Sequence, residues 1–185
     1  MSDLKIERRQ KYSIVIILFF VLFSIWASLQ FLAPVFLPSD SVKDLSGTVG
    51  ISDNDELISK MPFPWNSIYS IGDRMCHQKA ERSFFINGNE MPFCSRCTAL
   101  WLGLAIGLGI MVFYLMELDE KFIFVLIIGI VPMGIDGVGQ ILGLWKSTNL
   151  IRLITGLLAG IVCGIAIGLI IDEIKTILPF KNNKK

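Results

Sequence analysis

The sequence predicts an all-α membrane protein: four transmembrane helices, with a small extramembrane Cys/His hairpin between helices 1 and 2. Three observations lead there. Four runs are long and almost free of charge, Tyr12–Leu37, Thr98–Met116, Phe122–Trp145 and Leu153–Ile171, with Asp136 the single exception. Each is near or above the roughly 20 residues that cross a bilayer as helix. The composition, 53% hydrophobic against 18% charged, is too apolar for a soluble domain of 185 residues. Finally, the one histidine and three of the four cysteines fall within Asp73–Cys97, between the first two runs.

The chain divides into an N-terminal tail and first span (1–37), a polar loop and interfacial segment (38–72), the Cys/His hairpin (73–97), a three-helix transmembrane unit (98–172) and a basic tail (173–185). Lys5, Arg8, Arg9 and Lys11 precede the first span. Its apolar stretch is too long for a signal-peptide core and lacks a small-x-small cleavage site, so it reads as a retained signal anchor. Ser39–Lys60 is polar and acidic, with Gly47 and Gly50, and reads as a mobile linker. From Met61 the segment PFPWNSIYSI carries Trp65 and Tyr69, aromatics suited to the headgroup level.

Small residues recur at helical spacing in the later spans: Gly103 and Gly107 in the second, and Gly156, Gly160, Gly164 and Gly168 in the fourth. Such rows let helix backbones approach closely, either within the chain or across a homo-oligomer. Cys163, alone in an apolar helix, reads as packing. Both tails are rich in lysine and arginine. An even number of spans puts them on one side, and the positive-inside rule makes that side cytoplasmic. The ELDEK turn joins spans two and three there, and the hairpin faces outward, in a multi-pass protein of the cell membrane. A net charge of +1 and the absence of a basic motif leave the lipid bilayer, not nucleic acid, as the partner.

In the hairpin, Cys76-His77 and Cys94-x-x-Cys97 flank an Asn87-Gly88 turn. Asn-Gly between apolar residues is a strong type I′ signal, and zipping outward pairs Ile86 with Asn89, brings Glu81 near Cys94 and carries both pairs toward one point. Three thiolates and an imidazole are donors zinc prefers, so Cys76, His77, Cys94 and Cys97 form a candidate zinc site. A redox dithiol of Cys94 and Cys97 at a helix start is an alternative, since the dipole favours the thiolate. Inert thiols or a structural disulfide are the plainest reading.

Alternating spans bring the start of the second, the end of the third and the start of the fourth to one side, and the polar residues gather there. Candidate ligand-binding residues are Arg82, Arg96, Asp136, Gln140, Asn149 and Arg152. A carboxylate inside a bilayer costs about 2.5–3.5 kcal/mol on insertion scales, so Asp136 should find a cation, Arg96 or Arg152. Asn149 should cap span four. A structural ion pair with helix caps would meet the same electrostatics as a binding site.

These residues resemble a family of small multi-pass membrane proteins of bacteria and archaea defined only as a domain of unknown function. Its pattern runs CHQ, RSFF, P-x-C-x-R-C-T, D-G-x-x-Q, S-T-N and R-x-x-T-G. It matches Cys76–Gln78, Arg82–Phe85, Pro92–Thr98, Asp136-Gly137 with Gln140, Ser147–Asn149, and Arg152 with Thr155-Gly156. Ala99 stands where glycine is more usual. The resemblance implies a membrane location and that these positions belong together; it implies no activity. The residues themselves support a zinc-stapled lid over a pocket for an anionic or lipid-derived ligand, a membrane thiol-disulfide oxidoreductase, metal-assisted hydrolysis, or a structural scaffold.

Overall fold

The computed structural model describes residues 6–8, 13–116 and 119–177. The remaining residues of both basic tails and the first two of the ELDEK turn lie outside the described residues. In chain order the elements are β1 (Ile6–Arg8), α1 (Ile14–Phe36), α2 (Asp55–Ser59), α3 (Trp65–Met75), β2 (Phe85–Ile86), β3 (Asn89–Glu90), α4 (Ser95–Phe113), β4 (Tyr114–Met116), α5 (Glu120–Ile141) and α6 (Asn149–Ile177). Four of these, α1, α4, α5 and α6, are long and apolar enough to cross a membrane. The outward faces of α1 and α5 present Leu18, Leu22, Phe124 and Ile128 to the surface. In water such faces would drive aggregation; in a bilayer they meet their solvent.

Polar caps start three of the spans. Ser13 Oγ accepts from the amide of Ile16 at 3.4 Å, and Asp119 Oδ1 from that of Phe122 at 2.8 Å. At α6 the cap is Thr148, whose hydroxyl accepts from Ile151 N at 3.3 Å. The expected cap, Asn149, is instead the first helical residue, and its side chain is used elsewhere. Each capped amide is spared exposure to lipid without a partner.

The tightest packing joins α4 to α6 along their glycines. A Cβ on Gly160 would lie 2.3 Å from the carbonyl of Leu100, and one on Gly107 would lie 2.2 Å from that of Ile161. The two glycine rows face each other inside one chain, so a homo-oligomer would need a different face. The α5 helix lies against α6, with Gly129 under Val162. The α1 helix lies on α4 through Phe23, Trp26 and Trp101, whose rings sit 5.8–6.0 Å apart.

At one end, β1 pairs antiparallel with β4, Ile6 opposite Met116 and Arg8 opposite Tyr114. Span two thus ends at Phe113 rather than running to Met116 as its hydropathy suggests. Ile16, Met111, Phe122 and Leu169 form the core of this end. At the other end, Leu37, Val42, Leu45, Ile58, Ile68 and Tyr69 close a second core outside the spans.

This second core changes the reading of residues 39–60. The expected linker is a packed cover: Asn89 Oδ1 accepts from the amides of Ser41 at 2.9 Å and Val42 at 3.0 Å. Asp73, 1% exposed, accepts from Asn54 Nδ2 at 2.7 Å. Val42, Leu45 and Ile58 are buried while most polar side chains stay at the surface, and the backbone amides of Ser41, Val42 and Leu45 are taken up by buried Asn89 and Glu90. Tyr69, expected at the headgroup level, is fully buried and donates to the carbonyl of Glu90 at 2.7 Å. Trp65 stacks on Phe36 at the end of α1 with ring centroids 5.4 Å apart.

Gly160→Ala should lower the thermal midpoint in detergent, because one methyl group forces α4 off α6 at a cost of about 1–3 kcal/mol. Gly134→Ala meets nothing within 4 Å; it should leave the midpoint unchanged or raise it, by up to about 1 kcal/mol.

Candidate functional site: a thiol cluster beside three arginines

The hairpin turns as its sequence requires. Asn87 and Gly88 adopt φ of 55° and 74°, and the pairs are Ile86 with Asn89 and Phe85 with Glu90. The ladder is shorter than expected, however. After Met91 N donates to Phe84 O at 2.9 Å, the incoming strand gives way to a 3₁₀ turn at Ala80–Arg82. Side chain and backbone contacts do what strand pairing does not. Gln78, buried and at φ 40°, donates through Nε2 to Pro92 O at 2.7 Å. Gly72 lies so close to that carbonyl that a Cβ would stand 1.9 Å from it. The end of α3 and the approach to α4 are therefore buckled together.

That buckle assembles the sulfurs. Cys76 follows α3, Cys94 is the N-cap of α4 and Cys97 lies in its first turn. All three are free thiols, and their sulfur atoms lie within 4.8 Å of one another. Tetrahedral zinc, with bonds of about 2.3 Å, holds its sulfurs roughly 3.8 Å apart, so a small contraction would seat an ion. The amide of Cys94 donates to Cys76 Sγ at 3.4 Å. The Cys94 thiol is held well below its usual range because the Cys76 and Cys97 thiols donate to it, with the amides of Cys97 and Arg96 adding to the effect. Cys76 is pushed up by donating to Cys94. The expected fourth donor does not converge: His77 is outside the cluster and its side chain is exposed. His77 nonetheless contributes to the wall of the adjoining cavity.

That cavity, of about 160 Å³, is bounded by the three cysteines and by Arg82, Arg96, Gln140 and Arg152. Four of the six predicted ligand-binding residues thus share one hollow. Asp136 stands behind it, ion-paired with Arg96 and accepting from Trp145 Nε1 at 3.4 Å. Of the two arginines expected as partners, Arg96 is the one that pairs. Asn149 braces the assembly: it accepts from Arg152 Nη1 at 2.8 Å and Ser95 Oγ at 3.2 Å, and donates to Ser83 O at 3.1 Å. Ser95 Oγ also donates to Arg82 O at 2.9 Å. Hairpin, α4 and α6 are joined through this one amide.

The Nε atoms of Arg82, Arg96 and Arg152 are all buried without a hydrogen-bond partner. Arg152 is only 3% exposed, and among the described residues no carboxylate lies within ion-pair distance of it. A buried guanidinium without a counter-charge within ion-pair distance is expensive to hold. Sequence reasoning did not single out Gln78, Ser95 or Trp145. Gln78 stood within a recognised motif without a role, and the other two carry no signal short of the folded geometry.

The arrangement defines a four-span membrane protein with a thiol cluster and an arginine-lined cavity at one end of the bundle. The chain belongs to the family described as "predicted membrane protein (DUF2085)", whose model matches residues 76–169, a stretch holding every residue of the cluster and cavity discussed above. An uncharacterized protein of Methanocaldococcus jannaschii is 40% identical over 95 residues, covering 50% of this chain and 60% of its own length. One of Methanothermobacter thermautotrophicus is 36% identical over 84 residues, 45% of this chain and 75% of the relative. No solved structure matches the chain.

Beneath the lid, Glu90 is fully buried; Oε2 accepts from Leu45 N at 3.0 Å while Oε1 has no partner. Burial raises its pKa from 4.5 to about 7. Since the folded lid holds the proton more tightly than the unfolded chain, the contribution of Glu90 to stability should be fullest below about pH 4.5 and be lost as pH rises through about 7. The loss is up to about 3 kcal/mol. Glu90→Gln should flatten that slope and be the more stable protein at pH 8, as read from thermal midpoints across pH 4–8.

Proposed function

We propose that Cys76, Cys94 and Cys97 hold a zinc ion, with His77 or a bound ligand atom as the fourth donor, and that the adjoining pocket receives a small anionic or lipid-derived ligand. The observation that carries this reading is the convergence of three sulfurs, within 4.8 Å of one another, on the cavity that three arginines also line. Zinc bound by three thiolates is a net anion, which offsets part of the guanidinium charge and favours metal over free thiols. Arg82, Arg96 and Arg152 offer forked donors suited to phosphate or carboxylate; Asp136 holds Arg96, Asn149 holds Arg152, and Gln140 adds an amide to the lining. In this reading the ion staples the lid to α4, and the positive-inside rule applied to the basic tails supports a site outside the cytoplasm.

A redox role for Cys94 and Cys97 is the second reading, supported by their place at the start of α4 with a third sulfur in reach. Elemental analysis with thiol counting on the purified protein separates the two. About one zinc per chain is expected, with three of the four thiols shielded from alkylation until a chelator is added. Cys97→Ser should abolish bound zinc and lower the thermal midpoint. A zinc-free protein whose Cys94 and Cys97 pass reversibly between dithiol and disulfide would overturn the metal assignment in favour of the redox one.

A further inference from the structure

We propose that the arginine cavity receives the phosphate headgroup of a bilayer lipid whose hydrocarbon chain lies in a groove along α5. This rests on the anionic-ligand reading above and narrows it to a phospholipid of the surrounding membrane.

Charge is the first argument. Arg82, Arg96 and Arg152 bring three positive charges to a cavity of about 160 Å³. Asp136 neutralises Arg96. Glu81 lies 3.6 Å from Arg82, but its side chain is 68% exposed, and water screens it. Arg152, 3% exposed and with an unpartnered Nε, is left facing the cavity. An oxyanion is what remains to be supplied, and a phosphate can meet several guanidinium groups at once. The volume is far below the ~300 Å³ at which drug-sized ligands are enclosed, so only a headgroup would fit.

Continuity is the second argument. On the outer face of α5, a groove of about 530 Å³ is lined by Ile130, Ile135, Val138, Leu142, Leu144 and Trp145 and has almost no polar surface. Gly134 forms part of its floor and has open space where a side chain would stand. The groove and the cavity are lined by adjacent residues of α5. Gly139 belongs to the groove and the neighbouring Gln140 to the cavity. Trp145 packs on Gly139 and reaches Asp136, the partner of Arg96. An amphipathic molecule could pass its head by the Trp145 edge while its chain stays in lipid.

The full-length protein in a non-ionic detergent is titrated, under native mass spectrometry, with dioleoyl phosphatidic acid, dioleoyl phosphatidylcholine and inorganic phosphate, with zinc content read on the same samples. The expected result is a single phosphatidic acid adduct, at least tenfold tighter than phosphatidylcholine or free phosphate. Arg152→Gln should weaken that adduct tenfold or more. Gly134→Leu, whose Cβ would meet nothing within 4 Å and whose side chain would occupy the groove, should weaken phosphatidic acid but not inorganic phosphate. Equal binding of the two lipids, or a Gly134→Leu variant that binds phosphatidic acid as tightly as the parent, would overturn the lipid assignment. If zinc remains stoichiometric in that case, the metal reading stands and only the lipid falls. Loss of zinc with retained selectivity for phosphatidic acid would mean the reverse.

Discussion

The contact between α4 and α6 is the constraint on which the site depends. Lipid offers no hydrophobic drive for two apolar helices to associate, so they must gain by approaching until backbone meets backbone. Gly156 does this against the carbonyl of Arg96, and Gly160 repeats it one turn on. The consequence is local as well as global. Pressing the first turns of these helices together sets Cys97 and Arg96 beside Asn149 and Arg152, and the cavity follows from that placement. With bulkier residues at the seam, the same side chains would stand at the same heights but too far apart to act together.

The extramembrane cover depends on a second kind of economy, in which polar groups are satisfied by other polar groups in the interior. Asn89 serves four backbone partners, Asp73 collects Ser52 and Asn54, and Asn149 ties three elements together. Each amide or carboxylate would be costly if its partners moved away, so the network resists partial opening. Glu90 departs from this economy: it is buried with one oxygen unpartnered. It gives the lid a sensitivity to acidity.

Much of this was legible in the sequence because the bilayer leaves few choices. Runs of uncharged residues fix the spans, and alternation of direction puts Arg96, Asp136, Gln140 and Arg152 at one end without any knowledge of packing. The Asn-Gly turn and its register were readable because two positive φ angles have few other solutions. What was hidden were the uses of residues with more than one option. His77 reads as a ligand by its chemistry, but composition and spacing do not record that it stays exposed beside the three sulfurs. Asn149 reads as a cap, yet cross-bracing uses its amide on both sides while the hydroxyl of Thr148 suffices for the cap. Ser39–Lys60 reads as linker because composition records polarity and not where the polar groups find partners. Tyr69 likewise exchanges an interfacial berth for a buried carbonyl.

The end of α1 shows how the cover is fastened. Residue 38 is a proline and has no amide hydrogen, so the carbonyl of Pro34, four residues earlier, has no donor in its own helix. Asn89 supplies one at 2.9 Å, and its neighbour Asn87 does the same for Leu37 at 3.1 Å. The hairpin tip is thus plugged into a gap in the rungs of the first span, left by the wrong kind of residue for a helix. Lifting the lid would bare those oxygens at the membrane edge, so the span and its cover should come apart only as a pair.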